Sequence, residues 1–282
     1  MKEAEQFKLF DIPVLCSVFM PAAFEYYADV LPPIPDGVKH YYSEWVKVLP
    51  EVLQKPCFRD FVGDKGYNAM KFGANPVFTE RCVSSQQDIG YQSLYNALRN
   101  TETLNYLMEK NVANLRFVDV GSGFCPLSAA LQNEYNLSDV YIIDKQPILD
   151  AYEMTANIVG GKSPVCIDWD TAKEKIQNQQ INTVVAMGLF PYLPLAEQID
   201  RLMFINQYCQ NIFIEIKYNS KRNLATSQFF SSDSLVQLRS SLGQSKELEK
   251  HTRHKTLEYY RRFCELSKNR FRQKEFSLFI CR

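Results

Sequence analysis

Histidine, paired cysteine and long apolar runs are all scarce in this chain. Only three histidines occur in 282 residues, and none of the eight cysteines forms a C-x-x-C pair. Structural zinc sites draw on such clusters, so no metal centre is expected. The cysteines stand at positions 16, 57, 82, 125, 166, 209, 264 and 281, several inside apolar segments, as reduced core thiols do. That usage predicts a reducing, cytoplasmic setting rather than a disulfide framework. No run of 18 apolar residues exists, so no membrane span is expected. The opening Met-Lys-Glu-Ala-Glu-Gln lacks the apolar region of a secretory signal, and none is expected. Internal repeats and low-complexity tracts are missing too.

Net charge is also absent, with 32 Lys and Arg against 32 Asp and Glu. The balance hides an asymmetry. Residues 1–110 carry 11 basic and 14 acidic side chains, net −3, and residues 111–245 carry 10 and 13, again −3. Residues 246–282 carry 11 and 5, net +6. A basic stretch of that kind is either a solvated face or a surface for a polyanion.

What is present is an α/β pattern. A length of 282 residues and a hydrophobic content of 46% suit one soluble α/β domain with an added module. Residues 117–128 read FVDVGSGFCPLS. A short strand from Arg116 to Val120 runs into Gly121-Ser122-Gly123, and Pro126 opens an apolar helix. Strand, glycine turn and helix together let a ligand approach the backbone closely. Asp119 places a carboxylate at the strand's end, which suits a cationic ligand group and not a pyrophosphate. A dinucleotide motif would need glycine where Pro126 stands, which argues against a nicotinamide-dependent oxidoreductase.

Further strands are expected at Val140–Ile143, Pro164–Ile167, Ile181–Met187, Asn211–Lys217 and Glu275–Cys281. Asp144 ends the second of the series and lies 21 residues after Gly123, the separation at which a carboxylate meets ribose hydroxyls in Rossmann-like sites. The third ends in Asp168-Trp169-Asp170, where Asp168 could equally cap a helix. Residues 1–110 form a different block, rich in aromatics and proline. Helical periodicity appears there at Phe7–Leu15, Tyr41–Leu53 and Tyr91–Met108. Pro32, Pro33 and Pro35 interrupt it. Two more helices are expected at Ser231–Leu242 and Thr252–Leu266.

Asp119-Val120-Gly121-Ser122-Gly123 resembles motif I of the class I S-adenosylmethionine-dependent methyltransferases, with Cys125 in place of the family's usual third glycine. The resemblance implies a Rossmann-like, seven-stranded methyltransferase sheet flanked by helices over residues 111–282, behind a mainly helical cap over residues 1–110. It implies S-adenosylmethionine as cofactor, with Asp119, Gly121, Ser122 and Gly123 at the turn, Asp144 and Lys145 at the second strand, and Met187 at the fourth. Asp168 would accept from the adenine amino group, with Trp169 as a flat neighbour of the ring.

The fourth strand leads into Leu189-Phe190-Pro191-Tyr192, which lacks the N/D-P-P-Y/F of enzymes that methylate exocyclic amines. The expected acceptor is therefore a small molecule. Tyr192, Glu215 and Lys217 are the candidate catalytic groups, although each also suits an ordinary structural role. Tyr26, Tyr27 and Tyr91 are candidate substrate contacts in the cap. GSGFCPLSAAL followed by LFPYLPLAEQ is also similar to the 16S rRNA aminoglycoside-resistance methyltransferases. That likeness keeps RNA as an alternative partner, against an acidic N-terminal block that would repel it. A non-catalytic binding module on the same fold is the remaining alternative.

Overall fold

The computed structural model of the protein describes residues 20–29, 31, 33–52, 54–56, 64, 100–101, 103–123, 125–187, 189–190, 193–219, 238 and 275–281. Six strands stand among them. They are β1 (Phe117–Val120), β2 (Val140–Ile143), β3 (Val165–Cys166), β4 (Thr183–Ala186), β5 (Asn211–Asn219) and β6 (Glu275–Cys281). They lie in the order β3-β2-β1-β4-β5-β6. β1, β4 and β5 run parallel, and β6 returns antiparallel to β5. The order reverses between β1 and β4, as in a Rossmann-like sheet, and ligands of such sheets bind at the strand ends beside that reversal. Seven strands were expected. The stretch expected to pair with the last strand, Asn269–Lys274, lies outside the described residues, as do the expected helices Phe7–Leu15 and Thr252–Leu266.

The helices are α1 (Met20–Tyr26), α2 (Asp36–Val52), α3 (Leu127–Glu134), α4 (Gln146–Val159), α5 (Trp169–Gln177) and α6 (Leu195–Tyr208). Residues 100, 101 and 103–109 are helical as well. None of the described helices is long and apolar enough to cross a membrane. The contacts divide the chain into two compact units: residues 1–113, 123–140 and 144–166 form one, and residues 114–122, 141–143 and 167–282 the other.

In the first unit, α2 is an amphipathic helix. Val38, Tyr41, Tyr42, Trp45, Val48, Leu49 and Val52 recur at three- and four-residue intervals and are all buried. They pack α2 against α3 and α4. Trp45 meets Tyr152 of α4 with ring centroids 5.0 Å apart, and Tyr42 meets Phe24 of α1 edge-to-face at 5.3 Å. Burying a side chain of this size contributes about 1.5–3 kcal/mol. α2 begins five residues before the expected Tyr41, because Pro35 and Asp36 favour a helix start rather than a break. Gly160, in the left-handed conformation, ends α4.

In the second unit, alternation divides the strands into two faces. Val118 and Val120, Val184 and Ala186, and Ile212, Ile214 and Ile216 form one face. They share a core with Ile176 of α5 and with Leu202 and Ile205 of α6. The register places Asp119 beside Val185, and Val185 beside Phe213, on the other face. At the opposite end of the strands, polar side chains tie the sheet together. Asn182 Oδ1 accepts from Arg116 N at 3.1 Å and from Thr183 Oγ1 at 2.8 Å, and Asn211 Nδ2 donates to Thr183 Oγ1 at 3.1 Å.

Candidate cofactor site

The turn after β1 requires its glycines. Gly121 has φ +71° and Gly123 φ +56°, the left-handed region where a side chain is strained. At Gly121 space is a second constraint, since a Cβ would lie 2.5 Å from Leu189 Cβ. Within the second unit, Gly121 N donates to Ile143 O at 2.9 Å, which fixes the turn against the end of β2. Asp119 is 4% exposed, and Ser122 is buried. Met187, just after β4, is half-buried.

Within the first unit, Asp144 reaches the same turn. Its Oδ2 accepts from Gly123 N at 2.6 Å, and its Oδ1 accepts from Lys145 N at 2.8 Å. The carboxylate is half-buried, and Lys145 is exposed. Lys145 precedes α4 in an extended conformation, at φ −92° and ψ 154°.

Cys125 adds a group of contacts that sequence reasoning missed. Its Sγ donates to Asn100 Oδ1 at 2.8 Å and lies 3.3 Å from the Tyr42 hydroxyl. The Tyr152 hydroxyl donates to Cys125 O at 3.1 Å. Asn100 is 2% exposed, and its Nδ2 donates to Met20 Sδ at 3.7 Å. Three separate helical segments of the first unit therefore meet at one residue of the turn. The only sequence signal was Cys125 itself, standing where the family has glycine.

Asp168 is the N-cap of α5. Its Oδ1 accepts from Thr171 N at 2.7 Å, and this bond holds its pKa below the ordinary carboxylate value. Trp169 is half-buried and stacks under the Arg201 guanidinium, 4.5 Å from the ring centroid. Phe204 meets its edge, and Arg201 is itself paired with Glu197. One face of the indole is thus already occupied by α6.

The remaining candidates are placed as follows. Glu215 is 0% exposed, in the interior of β5 opposite Phe279. Lys217 lies two residues further along β5, opposite Ser277. Tyr26 is 49% exposed, whereas Tyr27 is buried and its hydroxyl pKa is raised by that burial. Their rings meet edge-to-face at 5.0 Å. Tyr91 and Tyr192 lie outside the described residues.

No family model and no curated protein matches the sequence. Solved structures match the chain at low identity. One is magnesium protoporphyrin IX methyltransferase from Synechocystis PCC 6803 with bound SAH, at 13% identity and TM-score 0.44, over 80% of this chain and 98% of that one. Another is the mitomycin 7-O-methyltransferase MmcR, at 12% identity and TM-score 0.34, over 86% of this chain and 92% of that one. A third is EvdMO1, at 14% identity and TM-score 0.40, over 52% of this chain. The match spans 36% of the EvdMO1 chain, about a third of its length. The class is defined by the chain's own strand order: a mixed, Rossmann-like α/β sheet with an antiparallel last strand.

Proposed function

We propose that the chain is an enzyme that transfers a methyl group from S-adenosylmethionine to a small-molecule acceptor, on oxygen or nitrogen. The observation that carries this reading is the turn after β1. Two left-handed glycines follow a buried carboxylate, and the Asp144 carboxylate bonds the turn's own N–H. In this reading Asp119, Gly121, Ser122, Gly123, Asp144, Lys145 and Met187 hold the cofactor. Asp168 and Trp169 stand at its adenine end, with Asp168 retaining its bond to Thr171. The cofactor supplies the electrophilic methyl and its leaving group. The protein's part is then alignment of the acceptor and exclusion of water. Residues 1–110 act as the cap that selects the acceptor, and Tyr26 is an exposed aromatic among its described residues. Tyr192 and Lys217 are the groups to test as acceptor contacts. Glu215, buried in β5, is a less accessible candidate. A cytoplasmic location belongs to the same reading, on the scattered cysteines of the sequence.

Calorimetry with SAH tests the cofactor assignment, with micromolar binding, about −8 kcal/mol, as the expected result. No binding would sink it. A labelled-methyl screen over small molecules and RNA then tests the acceptor. RNA binding that falls steeply with salt, and that disappears in Arg261→Glu/Arg262→Glu, would replace the small-molecule acceptor with RNA.

A further inference from the structure

We propose that the Cys125 thiol is a latch through which Asn100 and Tyr42 position the cofactor turn. The proposal rests on the cofactor reading above and adds positioning residues that no motif marks. Gly123 and Cys125 bracket the end of the turn. The first is held through its N–H by Asp144, and the second through its carbonyl by the Tyr152 hydroxyl. The Cys125 side chain supplies a third hold, to Asn100 Oδ1 and the Tyr42 hydroxyl. A glycine at this position could make no such bond. It would also leave the turn more conformational freedom to lose when a ligand orders it.

The partners are themselves fixed. Asn100 is buried and tied to Met20 of α1, and Tyr42 sits in the buried stripe of α2 against Phe24. A buried amide oxygen that loses its donor carries a desolvation cost, so the thiol and Asn100 hold each other in place. The packing of α1 and α2 is thereby coupled to the positions of Gly123 and Cys125. Asn100, Tyr42 and Tyr152 act on the ligand only through the turn, so they are positioning residues.

The test uses the full chain and SAH, with Cys125→Ala, Cys125→Ser, Asn100→Leu, Tyr42→Phe and the double variant Cys125→Ala/Asn100→Leu. Affinity is read by calorimetry. The rate of Cys125 alkylation by iodoacetamide is read by peptide mapping. Cys125→Ala and Asn100→Leu should each weaken SAH about five- to tenfold, the size of one hydrogen bond. The double variant should be little worse than either single, as expected for two ends of one interaction. Cys125→Ser, which keeps a donor, should recover most of the affinity. Asn100→Leu and Tyr42→Phe should speed Cys125 alkylation without ligand present. Affinities within twofold of wild type in folded variants overturn the latch. So does full additivity in the double variant, or an unchanged alkylation rate. Wild type that fails to bind SAH overturns the cofactor reading, and the coupling to the cofactor with it. The alkylation rates show separately whether the thiol contacts exist.

Discussion

Asp144 and Asp168 are the same residue type at the ends of neighbouring strands, yet they are used differently. Asp144 reaches Gly123, 21 residues earlier in the chain, and bonds its N–H as well as that of Lys145. Asp168 turns forward and caps its own helix through Thr171, three residues on. The first carboxylate joins two separate pieces of backbone, whereas the second completes a local motif. A tertiary bond of this kind constrains a turn. A cap satisfies an N–H that every helix start leaves open. Strand-end acids in an α/β sheet are therefore not interchangeable.

Replacing both residues is the most direct way to break the comparison. Asp144→Ala should weaken SAH binding by about 1.5–3 kcal/mol, because a charged acceptor is lost both to the ligand and to the turn. Asp168→Ala should lower the melting temperature and leave most of the affinity. Calorimetry on the two variants decides the matter, and equal losses of affinity would erase the distinction. A smaller effect is expected at Gly123→Ala. A side chain at φ +56° costs about 1–2 kcal/mol, and urea denaturation should show it as lost stability. Unchanged stability would mean that the turn relaxes freely and that Asp144 holds little.

The smallest effect is the pH dependence of the cap. The bond to Thr171 lowers the pKa of Asp168 in the folded protein below the ordinary 3.8. Its contribution to stability is therefore present above that value and lost as pH falls through the lowered one. The stability gap between wild type and Asp168→Asn should be constant from neutral pH down to the ordinary value and close below it. A gap that widens on acidification would contradict the cap. The measurement is thermal melting of both proteins across that range.

Much of the fold was legible because strand alternation and glycine turns are local. Val140–Ile143 and Glu275–Cys281 lie where the sequence places them, and β1 starts one residue after the expected Arg116. The antiparallel entry of the last strand beside the fifth also agrees. Other features depended on distant parts of the chain. Trp169 is expected as a flat neighbour of a ring, and nothing in the sequence signals that Arg201, 32 residues later, stacks on it.

The sequence by itself determined the turn. Gly121 and Gly123 carry left-handed backbone that other residues adopt only under strain, and Asp144 follows at the distance of one helix and one strand. What surrounds the turn was decided by tertiary structure. Asn100 and Tyr42 lie 25 and 83 residues from Cys125, and no periodicity links them. They meet because burying the apolar stripe of α2 carries Tyr42 to the turn, and because Asn100, once buried, must find a donor.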